Sequence, residues 1–410
     1  MKVSLNATLN KLIWLLTIFL FVSFLIFETY SWGRYAFLGV SALVIILSSI
    51  IYGGKIRVRL CPYYCFLGLF AVYVGIASIW AWNSAAAISK AVTLVQILGC
   101  SAMLYVHYDR QDNVRELLSA VKWAGFIVAV YAIFFYGIEN LGLEEGVRLD
   151  NEFANINGIG MAAALSCVLQ AHEFLNKRSR WPALMMLPAV IMIAATQSRK
   201  ALVFLMVGAL GVYVLHSLTQ KSISKRLWRT ILSVAVICLA FYFVLQLPIF
   251  EGIMSRMETM VAPVTGQGEM DSSAVSRSKM VELGWEYFLK YPVGGYGFGS
   301  SAVITQRNLG WSTYLHNNYV EVLSGGGVIG FVLYYAVHIY MFVNLIKYRK
   351  ADQEAFCIGF VWLVLILIMD WGSVSYIEKS RWYYLMILCL NISCMQKKGR
   401  LALDEHKKTA

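Results

Sequence analysis

Leu12-Ile13-Trp14-Leu15-Leu16-Thr17-Ile18-Phe19-Leu20-Phe21-Val22-Ser23-Phe24-Leu25-Ile26-Phe27 carries no charged side chain. With its flanks the run extends over 12–30, close to the roughly 20 apolar residues a helix needs to cross a bilayer. Lys2 and Lys11 precede it and no small-residue cleavage site follows. It therefore reads as an uncleaved first transmembrane helix, not a signal-peptide core. Eleven further runs follow, at 35–52, 62–82, 86–106, 118–138, 156–175, 182–198, 200–218, 230–248, 327–346, 354–372 and 380–396. The seventh is short, and its junction with the eighth is tight.

The composition agrees. Hydrophobic residues make up 59% of the 410 and charged residues 14%, with a mean hydropathy of +0.63 and six prolines. Globular domains have roughly 45–50% and about 25% respectively. Disordered, collagen-like and coiled-coil chains are excluded, and an ordinary soluble enzyme is disfavoured. The expectation is an all-α integral membrane protein, residues 1–410 forming one polytopic domain of about twelve helices.

The net charge of +12 would suggest nucleic acid in a soluble protein. Here the basic residues sort to alternate loops. Lys2 and Lys11, Lys55-Arg57-Arg59, Arg110-Arg115-Lys122, Lys177-Arg178-Arg180, Lys221-Lys225-Arg226-Arg229, Lys347-Arg349-Lys350 and the C-terminal Lys397-Lys398-Arg400-Lys407-Lys408 all fall on one side. Cytoplasmic loops carry such an excess of Lys and Arg, so both termini are expected inside and no nucleic acid is implied. The eight cysteines lie in or beside apolar stretches without metal-ligand spacing and read as core residues.

Two outer loops stand out. One spans Glu139 to Asn155, with Glu144, Glu145, Asp150 and Glu152. The other, 249–326 between helices nine and ten, is the longest polar stretch and contains an amphipathic segment, Ser278–Tyr291. Basic residues are least expected on this face. Arg199 and Lys200 sit between the seventh and eighth helices, Arg277 and Lys279 precede the amphipathic segment, and Arg307 comes later in the loop. A guanidinium grips phosphate oxygens bidentately and keeps its charge when partly desolvated, so this group suggests an anionic ligand such as a lipid pyrophosphate. The bland alternative is snorkelling to headgroups or pairing with loop carboxylates.

His316, in Tyr314-Leu315-His316-Asn317-Asn318-Tyr319-Val320-Glu321, lies at the return into the membrane. Imidazole near its reference pKa of about 6.5 accepts a proton at neutral pH. His338, inside the tenth helix, reads instead as a satisfied interhelical hydrogen bonder, and His172 and Glu173 as boundary residues. Glu269 and Asp271 lack metal-ligand spacing, so no metal is expected. Pro292-Val293-Gly294-Gly295-Tyr296-Gly297-Phe298-Gly299 lacks the ending of a P-loop. Its glycines permit tight turns that bring Arg277 and His316 together.

Ser198-Arg199, Ser276-Arg277 with Trp285 eight residues on, the glycine-rich turn, and His316-Asn317 with Gly327 ten residues after the Asn form a series. With Asn155-Ile156-Asn157-Gly158 before it, that series resembles the O-antigen ligase and polymerase superfamily. The resemblance implies a GT-C-like fold with a long, partly helical extracytoplasmic loop. It also implies an inverting glycosyltransferase of the bacterial cytoplasmic (inner) membrane, active on the outer, periplasmic face, with no cofactor, metal or nucleotide sugar. The donor is then a saccharide on undecaprenyl pyrophosphate. Arg199 and Arg277 correspond to the pyrophosphate-binding positions and His316 to the base. Asn317 belongs to the same motif, while Arg307 and Lys279 are candidates on chemistry alone.

The reaction needs positive charge beside the leaving pyrophosphate and a base for the acceptor hydroxyl, worth roughly 10²–10⁴ in rate. It needs no acid for the leaving group. The first reading is a polymerase joining lipid-linked repeat units into O-antigen, capsule or exopolysaccharide, alongside chain-length regulator and flippase proteins. The second is the O-antigen ligase, whose acceptor is lipid A–core, and a protein O-glycosyltransferase is a third. A transporter would carry ionisable residues at mid-membrane; here Asp370 is the exception among nearly charge-free helices.

Overall fold

A computed structural model describes residues 2–27, 33–55, 61–141, 149, 154–177, 179–219, 224–257 and 272–409. Arg57, Arg59, Glu144, Glu145, Asp150, Glu152, Arg178, Lys221, Glu269 and Asp271 lie outside them.

Each apolar run carries a helix, and no strand occurs among the described residues. The order is α1 (Lys2–Ile26), α2 (Gly33–Ile51), α3 (Pro62–Ala77), α4 (Ser84–Gln111), α5 (Val114–Tyr136), α6 (Ile156–Lys177), α7 (Trp181–Met185), α8 (Leu187–Ala195), α9 (Arg199–Thr219) and α10 (Ser224–Leu245). Then come α11 (Pro248–Met257), α12 (Ser272–Lys290), α13 (Ser301–Leu309), α14 (Asn318–Tyr348), α15 (Gln353–Gly372) and α16 (Lys379–Thr409). Seven described helices are long and apolar enough to span a membrane alone, and eight if α10 and α11, bent by 87°, count as one. Three shorter apolar helices and α16 carry the remaining runs.

The boundaries follow local chemistry. Asn83, Asn113, Asn317 and Asp352 cap α4, α5, α14 and α15, each side-chain oxygen accepting a backbone N–H of the first turn, as N-caps do. The seventh run breaks at Met186 because Pro188, lacking an N–H, opens a new helix. The expected amphipathic segment is α12, extended upstream to Ser272. The tenth helix starts at Asn318, earlier than its apolar run, because Asn317 caps a polar first turn.

Helix α6 is the most buried span, 67% of its apolar window being enclosed by neighbours. It packs on α5, α8 and α9. Small residues allow this: a Cβ on Gly125 of α5 would lie 2.4 Å from the Ala162 carbonyl oxygen. Such close backbone approach is how helices associate where lipid removes the hydrophobic drive.

In α14, Gly327 interrupts the helix at φ 60°, ψ −164°, a region essentially confined to glycine. The glycine-rich turn docks into this break. Tyr296 N donates to the Ser324 carbonyl at 2.9 Å and Val328 N to the Pro292 carbonyl at 2.8 Å, satisfying groups the helix leaves open. His338, further along α14, corrects an expectation. Its ring packs against Tyr334 and Tyr335, and neither nitrogen finds a hydrogen-bond partner among the described residues. The cysteines are free, most of them buried, with Cys65 and Cys238 exposed.

Candidate active site

Two neighbours hold His316 in place. Leu315 is fully buried with Met280 of α12 and Val320 of α14. On the other side, the Asn317 side chain accepts from Val320 N at 3.1 Å and donates to the Trp371 carbonyl at 3.2 Å. His316 between them takes φ 56°, a left-handed backbone costing a non-glycine residue on the order of 1–2 kcal/mol. Tyr314 lies against its ring, centroids 4.2 Å apart.

A buried polar network ties this start of α14 to the 373–378 segment. The Asn318 side-chain oxygen accepts from Ser375 N and Tyr376 N at 2.9 and 3.0 Å. Its amide nitrogen donates to the Tyr335 hydroxyl, which donates to Asp370. Asp370 pairs with Arg381 at 3.2 Å, both side chains being fully buried.

His316 faces a cavity of about 440 Å³. Arg277 of α12, Lys200 of α9, Lys90 of α4 and Lys379 of α16 line it, with Glu321 and Glu378 as its acidic groups among the described residues. Phe24, Met161, Leu165 and Phe204 form an apolar wall from α1, α6 and α9. Lys200 donates to the Gly372 carbonyl and Lys90 to the Tyr376 hydroxyl. Neither lysine has a carboxylate within ion-pair distance among the described residues. Desolvation by burial, then the charges of Arg277 and Lys200, push the His316 pKa down to about 4. The imidazole is therefore neutral at physiological pH, with a lone pair available. Burial raises the Tyr314 hydroxyl, so it stays protonated.

The six sequence candidates separate. Arg277 and His316 share the cavity. Arg199 is not among its lining residues: its guanidinium donates to the Arg256 carbonyl at 3.1 Å, and Arg256 donates back to the Gln197 carbonyl at 3.0 Å. Its neighbour Lys200 faces the cavity instead, one helix position further round. Lys279 is exposed away from the cavity, because residues two apart on a helix do not share a face. Arg307, exposed on α13, lies over the Trp82 ring at 4.4 Å. Asn317 is buried and spends its amide on the helix cap and Trp371.

Residues 184–335 match a family model described as O-antigen ligase. That segment belongs to the O-antigen ligase family. The match supports, over that segment, the resemblance to the ligase and polymerase superfamily noted in the motifs. Lys200, Arg277, His316 and Glu321 lie inside the matched segment, whereas Lys90, Glu378 and Lys379 reach the same cavity from outside it. No curated protein matches the chain. Among the described residues no three His, Cys, Asp or Glu side chains gather as a metal site requires.

Proposed function

We propose that this protein is an inverting glycosyltransferase of a bacterial cytoplasmic membrane, working on the outer face. It polymerises saccharide repeat units carried on undecaprenyl pyrophosphate. The observation that carries this reading is that Lys200, Arg277 and His316, far apart in sequence, line one cavity that also has an apolar wall. The cations take the pyrophosphate and the apolar wall lies beside the polyprenyl chain.

The acceptor hydroxyl attacks the anomeric carbon from the face opposite the pyrophosphate. Its proton passes to His316, the C1–O bond to the pyrophosphate breaks, and the leaving group keeps the electron pair. The products are the new glycoside, undecaprenyl pyrophosphate and a protonated imidazole. Charge growing on the pyrophosphate meets fixed cations, so their stabilisation is greatest in the transition state. Donor binding also strengthens the base. The pyrophosphate offsets the positive charges that depress His316 and favours imidazolium as the reaction needs it.

The matched family description, O-antigen ligase, favours a second reading with the same chemistry, transfer of a finished chain to lipid A–core. Reconstitution of the purified protein with lipid-linked repeat units alone separates the two. A ladder of products supports the polymerase. Transfer only after lipid A–core is added supports the ligase. Movement of the lipid without a new glycosidic bond overturns both.

A further inference from the structure

Glu321 lies in the first turn of α14 and is 3% exposed. It borders the cavity, yet spends one carboxylate oxygen on the loop that carries His316 and the other on α13. Oε2 accepts from the Leu315 N–H at 2.9 Å, one residue before the histidine. Oε1 accepts from the Ser301 hydroxyl at 2.6 Å, at the start of α13. One side chain thus joins α13, the His316 loop and α14. No ammonium or guanidinium lies within ion-pair distance of it among the described residues, so these two hydrogen bonds are its close partners. A buried carboxylate costs free energy unless such donors meet it, and here one donor is the loop backbone and the other the first residue of α13.

We infer that Glu321 is the positioning residue of the base. The left-handed backbone at His316 holds only while both flanking residues are fixed. Asn317 is fixed by its cap, and Leu315 by its buried side chain and by Glu321. Releasing the Leu315 N–H lets the loop relax to an ordinary backbone and turns the imidazole away from the acceptor hydroxyl. Glutamine can keep both contacts, its oxygen accepting from Leu315 N and its amide donating to the Ser301 hydroxyl. Alanine can keep neither.

The inference rests on His316 being the base, and a double-mutant cycle tests it. Glu321→Gln is expected to stay within about fivefold of the parent kcat. Glu321→Ala should fall about 100-fold, near the lower end of what a general base contributes, with the donor KM within about twofold. The double variant Glu321→Ala/His316→Ala should be no slower than His316→Ala alone, because a residue acting only through another adds nothing once that one is gone. A double variant at least tenfold slower than His316→Ala, or a glutamine variant as slow as the alanine one, overturns the inference. Should Glu321→Ala fail to fold, Ser301→Ala decides: it should lower kcat several-fold without moving the donor KM, and an unchanged kcat overturns the inference. If His316→Ala itself keeps full activity, the base assignment fails, which is a different outcome from a silent Glu321.

Discussion

Burial, then the charges of Arg277 and Lys200, holds the His316 pKa down, and the pH dependence follows with a definite sign. Lowering the pH protonates the ring and removes the base. Because kcat/KM reports the free enzyme, its acid limb should fall near 4 and the profile should be flat from pH 8 to about 5. The limb of kcat should lie higher, because bound pyrophosphate favours the imidazolium. A kcat/KM limb at the ordinary 6.5 would show that the titrating group feels neither the burial nor the charges that surround His316. Arg277→Lys keeps the charge and loses the bidentate fork; kcat should drop about 10- to 100-fold, and full activity would reduce Arg277 to a headgroup anchor. Both residues could be read from the chain because Arg and His are out of place in a polar outer loop. Lys200 was harder to choose, since adjacent residues at the start of α9 compete and only packing says which faces inward. Lys90 stands just inside an apolar run and looks like any boundary lysine until α4 is set against the 373–378 segment.

At the scale of the element, α14 shows where hydropathy stops informing. Its apolar half announces itself. The polar first turns do not, because Asn318, Glu321 and Ser324 look like loop; a cap and a buried network make them helix. The break at Gly327 was visible only as a motif glycine, and its reason is geometric. A Cβ there would sit 2.2 Å from the Val293 carbonyl oxygen, on a backbone that glycine alone adopts readily. Gly327→Ala should therefore destabilise the protein by about 1–3 kcal/mol from the backbone alone, with more from the clash. Thermal unfolding in detergent should show a clearly lower Tm, whereas the parent Tm would mean that the turn does not dock as described.

Over the whole molecule, α6, α15 and α16 run from the cavity at His316 to a second one, of about 530 Å³, at their other ends. His172, Glu173, Asp352, Glu354 and Lys398 line the second. There Arg115 bonds Glu354 at 2.7 Å and Lys177 bonds Glu173 at 2.7 Å. Arg115, Lys122, Lys177 and Lys398 gather at this end, and we propose that it is the cytoplasmic one, because cytoplasmic loops carry an excess of Lys and Arg. A membrane-impermeant thiol reagent should then label Arg307→Cys in intact cells and Lys350→Cys only after the cells are opened. The reverse pattern would invert the orientation and put the proposed pyrophosphate site in the cytosol.

The seam between the glycine-rich turn and α14 is made by main-chain groups: Tyr296 N to the Ser324 oxygen and Val328 N to the Pro292 oxygen. Such a joint is blind to side-chain identity wherever a Cβ fits. Substitutions on the exposed side of the turn can thus accumulate while the mounting of α14, and with it the proposed base His316, stays as it is.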